Sequence, residues 1–214
     1  VAAARAEALR TAFCIATDAT GVAVQPDPLP DKKRQPCRRG HYFVLVADRD
    51  HVFFEYTPKE NGAAVKEMLR GYSGYVQADA KSVYDFLYRS PEERRARGDE
   101  SDDATVRHEV GCWSHARTKF WEAAVTTKDP VAREALARIM RIFALDRSWK
   151  KKTHPEIRVL REAHLRPHVD AFFTFVAEEH QRVLHQRGLL RSALGYADRQ
   201  RGALTRFFDD GRLK

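Results

Sequence analysis

The sequence predicts an α/β fold in which a mixed sheet is flanked by helices and followed by a large, mainly helical lobe. Two observations support this prediction. Residues 12–88 alternate apolar, β-branched and aromatic runs with one amphipathic helix, whereas nearly everything after His115 has helical periodicity. Three strands, a helix and a strand form an order typical of mixed sheets, in which the first and fourth strands can lie side by side.

The strands are predicted from runs of β-branched and aromatic residues bounded by turn-forming residues. In chain order they are residues 12–25, with a turn around Asp18–Gly21; 42–47 and 51–56, which form a hairpin; 74–79; and the candidate 106–110. A loop rich in Pro, Lys and Arg is expected over residues 26–39, and an exposed, highly charged loop over residues 90–104.

Helices are predicted from amphipathic spacing together with start and stop signals, such as Asp129 before Pro130 and Gly71 after an apolar stripe. The predicted helices cover residues 61–69, 82–88, 116–126, 129 to about 150, and 155–186, the last one broken or kinked at Pro167. Their apolar stripes indicate the core of a helical bundle, as in Ala135, Ile139, Ile142 and Phe143, or Phe172, Phe173, Val176 and Val183.

Length and composition limit the class of protein. At 214 residues with 43% hydrophobic residues, the chain suffices for one packed domain, or one domain with a large insertion. Its net charge of +8 favours a polyanionic partner. Three widely spaced cysteines form no disulfide framework, which indicates a reducing cytosol, and no apolar run is long enough for a membrane span. Because the chain begins with Val1 rather than Met, a fragment of a longer protein is expected.

Two aspartates are candidate ligands of a divalent cation. Asp18 follows the run Phe13-Cys-Ile-Ala-Thr, and Asp79 ends the run Gly74-Tyr-Val-Gln-Ala. If the two strands are neighbours, the carboxylates meet, and Mg²⁺ prefers such oxygen ligands together with a substrate phosphate. Taken singly, each Asp is more simply explained as a turn residue at the end of a strand.

Several other chemistries are excluded by the motifs. The sequence has no Gly-rich phosphate-binding loop and no Gly-x-Ser-x-Gly elbow. Cys112 and His115 form at most half of a zinc motif, because no second pair stands at finger spacing. A buried Cys112 beside a hydrogen-bonded His115 explains the pair better. The position of His115 after the last strand would also let it contact a phosphate or a water molecule near the two aspartates.

Four motifs together resemble one family. They are Asp18-Ala-Thr; Gly74-Tyr-Val-Gln-Ala-Asp79; Gly111-Cys-Trp-Ser-His-Ala-Arg117 with Lys119-Phe120; and Ala203-Leu-Thr-Arg-Phe-Phe-Asp-Asp-Gly-Arg-Leu213. In this order they resemble the transposases of the insertion sequence 66 group, a family of DDE (RNase H-like) transposases. The similarity extends from about Ala12 to Lys214, and the Cys-Trp-x-His-Ala-Arg-x-Lys-Phe block is its specific mark.

The resemblance implies an RNase H-like catalytic core over residues 1–112 and a helical insertion region over residues 113–214. In such transposases two aspartates and a glutamate bind two Mg²⁺ (or Mn²⁺) ions for cleavage and strand transfer of DNA phosphodiesters. Asp18 and Asp79 match the two aspartates. The resemblance also implies transposon ends and target DNA as partners, a homo-oligomer in the transpososome, no membrane, and a cytoplasmic, nucleoid-associated location.

The sequence departs from the family pattern around the site. Ala19 stands where the family has Glu, and Ala80-Lys81 stands where it has Gly-Tyr, so Lys81 is expected to compete for the Asp79 carboxylate. The family's third acidic residue lies in an Asn-Asn-x-x-Glu-Arg segment, which occurs nowhere in the 214 residues. The chain is therefore expected to be a truncated catalytic domain or a decayed copy with little activity alone.

Contacts with DNA are expected from basic residues near the site and in the 26–39 loop, namely Lys81, His115, Arg117, Lys119, Arg38, Arg39 and residues 32–34. Two alternative functions stay open. One is a non-catalytic DNA-binding or assembly module derived from a transposase. The other is a different RNase H-like metal-dependent nuclease, with the site completed by one of Glu178, Glu179, Asp209 and Asp210.

Overall fold

The structure of the chain, a computed structural model, describes residues 2–27, 35–48, 50–98 and 105–214. By the density of its contacts the chain divides into two compact units, Val1–Glu109 and Val110–Lys214. The first unit contains the sheet and the second is helical, so each is described separately. The predicted α/β class, with a mixed sheet followed by a helical half, is confirmed.

The first unit is built on a five-stranded sheet with the strand order β3-β2-β1-β4-β5. The strands are β1 (Cys14–Val24), β2 (Arg38–Ala47), β3 (His51–Thr57), β4 (Gly74–Ala78) and β5 (Arg107–Gly111), and the chain passes from the first unit to the second within β5. β1 pairs antiparallel with β2 and parallel with β4. The predicted adjacency of the first and fourth strands is therefore confirmed.

The first strand is longer and straighter than predicted. The turn expected around Asp18–Gly21 is wrong, because these residues continue the antiparallel ladder opposite residues 41–44 of β2. The loop expected over residues 26–39 is also shorter, since Arg38 and Arg39 already pair with β1. A neighbouring strand supplies backbone partners along the whole segment, and this outweighs the local turn preference of Asp and Gly.

The predicted hairpin is confirmed, with Ala47 opposite His51 at its end. Asp48 begins the turn with a positive φ of 48°. Its carboxylate accepts hydrogen bonds from the backbone amides of Phe13 and Cys14, each at 2.9 Å. The turn is thereby attached to the start of β1, which holds the two strands in register.

The first unit also contains helices. They are α1 (Ala2–Thr11), α2 (Gly62–Met68), a 3₁₀ helix (Ser82–Tyr88) and α3 (Pro91–Ala96). α2 is the predicted helix, and Asn61 caps it by accepting the Ala64 amide at 3.0 Å. Side chains from the sheet, α1, α2 and the 3₁₀ helix form one buried cluster, which includes Ile15, Phe43, Leu45, Val65, Met68, Val76, Tyr84 and Leu87.

The prediction of an exposed, charged loop over residues 90–104 is wrong for the first part of this segment, where α3 forms. Ser90 and Glu93 make a reciprocal capping box, and Pro91 occupies the first turn. Arg94 of this helix is buried and donates to the Thr105 carbonyl at 2.9 Å. Capping by polar residues thus stabilises a helix in this segment. The segment has too few apolar residues for the sequence pattern to predict a helix there. The rest of the expected loop, residues 99–104, lies outside the described residues.

The second unit is helical, as predicted. Its elements are α4 (Trp113–Thr127), α5 (Pro130–Ser148), α6 (His154–Leu160), a π-helical segment (Arg161–Leu165), α7 (Arg166–Arg182), α8 (Leu189–Arg199), α9 (Arg201–Thr205) and a 3₁₀ turn (Arg206–Phe208). Asp129 caps α5 by accepting the Val131 amide at 2.8 Å. The predicted apolar stripes are confirmed as core, since Ala135, Ile139, Phe172 and Val176 are completely buried.

The helix does not end at Pro167. Helical geometry runs from His154 to Arg182, and the irregularity is the π-helical segment just before the proline. A proline lacks the N–H that an α-helix needs, and a π-turn absorbs this loss without ending the helix. The segment carries Arg161, whose buried guanidinium pairs with Asp146 at 2.6 Å and donates to the Phe207 carbonyl at 2.8 Å.

Within the described part of the chain, no helix combines the length and apolar character needed to cross a bilayer.

Candidate metal centre

The parallel pairing of β1 and β4 aligns the two candidate aspartates. Ala16 pairs with Gln77 as the last pair of this ladder, and Asp18 and Asp79 lie two residues further along their chains. The two aspartates therefore lie opposite each other, just beyond the last hydrogen-bonded pair of the two strands. The residues directly before them, Thr17 and Ala78, are buried at 7% and 6% exposure. Because side chains alternate along a strand, both aspartates leave the sheet on the other side.

The two carboxylates are close enough to share one ion. An oxygen of Asp18 and an oxygen of Asp79 lie within 4.8 Å of each other. This separation does not exceed the roughly 7 Å expected as the upper limit for carboxylates that share metal ions. Asp18 is exposed and accepts the Ala19 amide at 2.8 Å. Asp79 has a side-chain exposure of only 10% and accepts the Lys81 amide at 3.3 Å.

The turn that follows Asp79 depends on one residue with a left-handed backbone conformation. Ala80 has a φ of 57°, a conformation that L-residues other than Gly rarely adopt. It turns the chain so that the next residue, Lys81, points back toward the Asp79 carboxylate. The resemblance noted above puts Gly at this position, and the backbone conformation explains why Gly suits it.

Lys81 is the immediate partner of Asp79. Its ammonium lies 3.2 Å from Oδ2 of Asp79 and 2.8 Å from Oε1 of Glu60. The other oxygen of Glu60 lies 3.4 Å from Nδ1 of His41. Partial burial lowers the pKa of Lys81, but its hydrogen bonds to Glu60 and Asp79 outweigh that effect and raise the pKa above its usual value. Lys81 is therefore a cation beside Asp79 at neutral pH.

Glu60 and His41 were missed by the sequence reasoning. Glu60 directly precedes the cap of α2 and looks like an ordinary solvated residue of a helix start. His41 lies on the buried face of β2. No sequence signal links them to Asp79, because their contact depends on how β2, α2 and the chain after β4 meet in space.

The remaining predicted DNA contacts are distributed over both units. Arg38 and Arg39 are exposed at the start of β2, whereas residues 32–34 lie outside the described residues. His115, Arg117 and Lys119 belong to α4 in the second unit, where the Lys119 ammonium lies 4.9 Å from the Tyr196 ring centre. Their relation to the two aspartates stays a prediction.

Cys112 and His115 interact with each other. Burial raises the pKa of the Cys112 thiol, but its hydrogen bond with His115 and other local interactions outweigh burial, so that the net pKa is lowered. Cys112 is half-buried rather than buried, and a structural role for the pair stays a prediction.

Three of the four acidic residues considered as alternatives, Glu179, Asp209 and Asp210, have basic partners inside the second unit. Glu179 pairs with Arg182, and Asp209 lies 3.7 Å from Arg206. Asp210 lies 2.7 Å from Arg212, and this hydrogen bond lowers the pKa of Asp210. Each of these three carboxylates thus has a local structural role, and their contribution to a metal site stays a prediction.

Comparison with known families shows the class of protein to which the chain belongs. The class is the DDE transposases, which act in general by nucleotidyl transfer on DNA. The chain belongs to the insertion sequence 66 family, because the family described as "Transposase IS66 family" matches residues 1–214.

A curated protein is similar over a shorter stretch. The "Uncharacterized protein y4qI" of Sinorhizobium fredii (strain NBRC 101917 / NGR234) is 25% identical over 163 residues, which are 76% of this chain. The matched stretch spans only 29% of the length of that relative. No solved structure matches the chain significantly.

Proposed function

We propose that this chain is part of the catalytic domain of a DNA transposase, in which Asp18 and Asp79 hold a divalent cation, Mg²⁺ or Mn²⁺. The reaction is cleavage and strand transfer of DNA phosphodiesters, on a core of the RNase H-like type. The observation that carries the proposal is the register-matched pair of carboxylates within 4.8 Å, in a chain that belongs to a transposase family.

The side chains fit a hard cation by donor type. Both aspartates offer carboxylate oxygens, the ligands that Mg²⁺ prefers in proteins. One oxygen of Asp79 is already shared with Lys81, so a bound ion must compete with this ammonium group. When bound, the ion would activate a water molecule or a DNA 3′-hydroxyl and stabilise the leaving oxygen. The chain's own contribution is to hold the carboxylates in register at the end of two paired strands.

The site has two carboxylates where the family chemistry uses three. Among the described residues, the ligand group around Asp18 and Asp79 contains no third carboxylate. Two metal ions need more anionic oxygen than two aspartates supply, so one metal position should be weak. We therefore predict little or no strand cleavage or joining by the 214-residue chain in Mg²⁺ or Mn²⁺, measured on supercoiled plasmid and on labelled duplex DNA.

Restoring the third carboxylate ligand tests the same proposal through a gain of DNA cleavage. Fusion to a native segment that supplies the family's glutamate should give measurable cleavage. Asp18→Asn or Asp79→Asn should then abolish it, because an amide is a neutral and poorer ligand for a hard cation. Asp85→Asn, a change at an exposed residue of the 3₁₀ helix, is the matched control and should leave cleavage unchanged. Robust cleavage by the unextended chain, insensitive to both site variants, would contradict the proposal.

A second candidate is a non-catalytic DNA-binding module that keeps the fold. The net charge of +8 and the incomplete set of carboxylates favour it. DNA binding that is equally strong in EDTA and in Mg²⁺, with no activity after the third ligand is restored, would favour this candidate. Under either proposal we expect DNA as the partner, a homo-oligomer on the transposon ends, and a location with the chromosome in the cytoplasm.

A further inference from the structure

A basic cleft lies beside the carboxylate pair. It has a volume of about 520 Å³ and belongs entirely to the first unit. Its lining residues, here called the edge cleft, are Arg39, His41, Pro58, Lys59, Glu60 and Asn61.

The sheet topology puts the edge cleft toward the same end of the strands as the aspartates. β4 runs parallel to β1 and ends level with Thr17, and β1 continues past Asp18 to Val24. β2 runs antiparallel to β1 and starts beside this last part of it, with Arg39 opposite Ala23 and His41 opposite Gly21. β3 is antiparallel to β2, so the segment after it, residues 58–61, emerges at the same end. Glu60 lines the cleft and contacts Lys81, which in turn contacts Asp79. One chain of contacts therefore joins the cleft to the site.

The charges in the edge cleft favour an anion. The single carboxylate, Glu60, is already matched by Lys81 and faces His41. Arg39 and Lys59 lie within ion-pair distance of no carboxylate among the described residues. Within the described part of the chain their positive charges are therefore unmatched, which favours an anionic ligand.

The guanidinium of Arg39 lies across β1. A Cβ added at Gly21 would lie 2.8 Å from its Nε and 2.9 Å from its Nη2, so the side chain rests on this glycine. Gly21 follows Asp18 by three residues on an extended strand, about 10 Å, and the two residues face opposite sides of the sheet. The edge cleft is therefore joined to the site through Glu60 and Lys81 rather than along β1.

We propose that the edge cleft binds backbone phosphates of the DNA strand whose reacting phosphate lies at Asp18 and Asp79. Arg39 is suited to a bidentate phosphate contact, and Lys59 adds a point charge. These contacts position the strand and carry no sequence information. The inference rests on the proposed function, because it assumes that DNA is the substrate at the aspartates.

The test is the salt dependence of DNA binding, which needs no catalysis. Binding of the full chain to a fluorescent duplex is measured by anisotropy in EDTA, from about 50 to 200 mM KCl, the range in which phosphate contacts change affinity most visibly. For the Arg39→Gln/Lys59→Gln double variant, the slope of log K against log salt should become shallower by about two, about one for each lost phosphate contact. Arg39→Lys should keep most of the slope, because the charge remains.

A matched control removes the same charge elsewhere. Arg10 and Arg70 are exposed ion-pair partners of Glu7 and Glu67, near the start of β1 and β4 at the opposite edge of the sheet. The Arg10→Gln/Arg70→Gln variant should leave the slope unchanged. If the slope of log K against log salt fell equally in both double variants, the inference would be overturned, because only the net charge would then matter.

The possible outcomes separate the two proposals. Binding of the unchanged chain with no effect of Arg39→Gln/Lys59→Gln overturns the edge cleft and leaves the proposed function standing. Failure of the unchanged chain to bind DNA even at the lowest salt overturns both. A selective loss of slope in the cleft variant supports the inference.

Discussion

Lys81 and Asp79 form the contact that most directly affects the proposed metal site. The ammonium lies 3.2 Å from the carboxylate oxygen and is held from the other side by Glu60 at 2.8 Å. A positive charge at this distance stabilises the ionised carboxylate, but it also repels an incoming cation. Glu60 weakens that repulsion because it shares the ammonium group. The two residues should therefore have opposite effects on cation binding.

We predict that Lys81→Gln raises the affinity for Mg²⁺ or Mn²⁺ about threefold to tenfold, the effect of losing a partly exposed charge pair worth about 1 kcal/mol. Glu60→Gln should lower the affinity, since Lys81 would then interact with Asp79 alone. Isothermal titration calorimetry of the full chain measures both, without any need for activity.

Lys151→Gln, an exposed change in the second unit, is the control and should leave cation affinity unchanged. A purely structural Lys81 would give a different result: Lys81→Gln would lower thermal stability and leave cation affinity where it was. Affinity changes of the same sign in the Lys81 and Glu60 variants would also contradict the proposed competition.

At the scale of elements, the turn after β4 is the piece that orients the site. Ala80 takes a left-handed conformation between Asp79 and Lys81, with a φ of 57°. This conformation costs an L-residue about 1–2 kcal/mol relative to its preferred regions, and a glycine avoids that cost. The strain persists because β4 and the following 3₁₀ helix determine both ends of the turn.

We predict that Ala80→Gly stabilises the protein by about 0.5–1 kcal/mol, the relief of left-handed strain reduced by the greater freedom of Gly in the unfolded chain. Urea unfolding followed by circular dichroism measures the change. Ala137→Gly, an exposed position inside α5, is the control and should destabilise by about 1 kcal/mol. Destabilisation by Ala80→Gly would show that the turn adopts another conformation.

At the scale of the whole molecule, the basic charge is the property most relevant to partners. The net charge is +8, and it is spread along the chain without a basic tail. Phosphate contacts made by such a surface release counterions and are weakened by salt, while they carry little sequence information.

We therefore predict that affinity for duplex DNA falls by about 10²-fold between 50 and 200 mM salt, as expected for three to four phosphate contacts. Duplexes of unrelated sequence and equal length should bind within about threefold of one another, since most of the binding energy would come from the backbone. Competition anisotropy with two unrelated duplexes measures both quantities. Affinity that ignores salt would contradict a role for the basic charge.

The local patterns of the sequence predicted most of the elements. The hairpin at residues 42–56, the capped helix at Asn61 and the helix opened by Asp129 depend on residues close together in the chain. The turn predicted at Asp18–Gly21 was wrong for the opposite reason, and so was the first part of the charged loop predicted over residues 90–104, where α3 forms. There a strand partner or a capping box outweighed composition.

What the sequence determined by itself was the α/β class, the apolar stripes of the helices and the two acidic residues at the ends of apolar runs. These follow from periodicity and local propensity, which act over a few residues. Only the tertiary structure decided that Asp18 lies within a long strand in register with Asp79, and that Lys81 connects Asp79 to Glu60 and the edge cleft. Glu60 and Lys81 are 21 residues apart, and the ends of β2 and β4 meet only through β1. Such contacts depend on strand order and register, which no local pattern specifies.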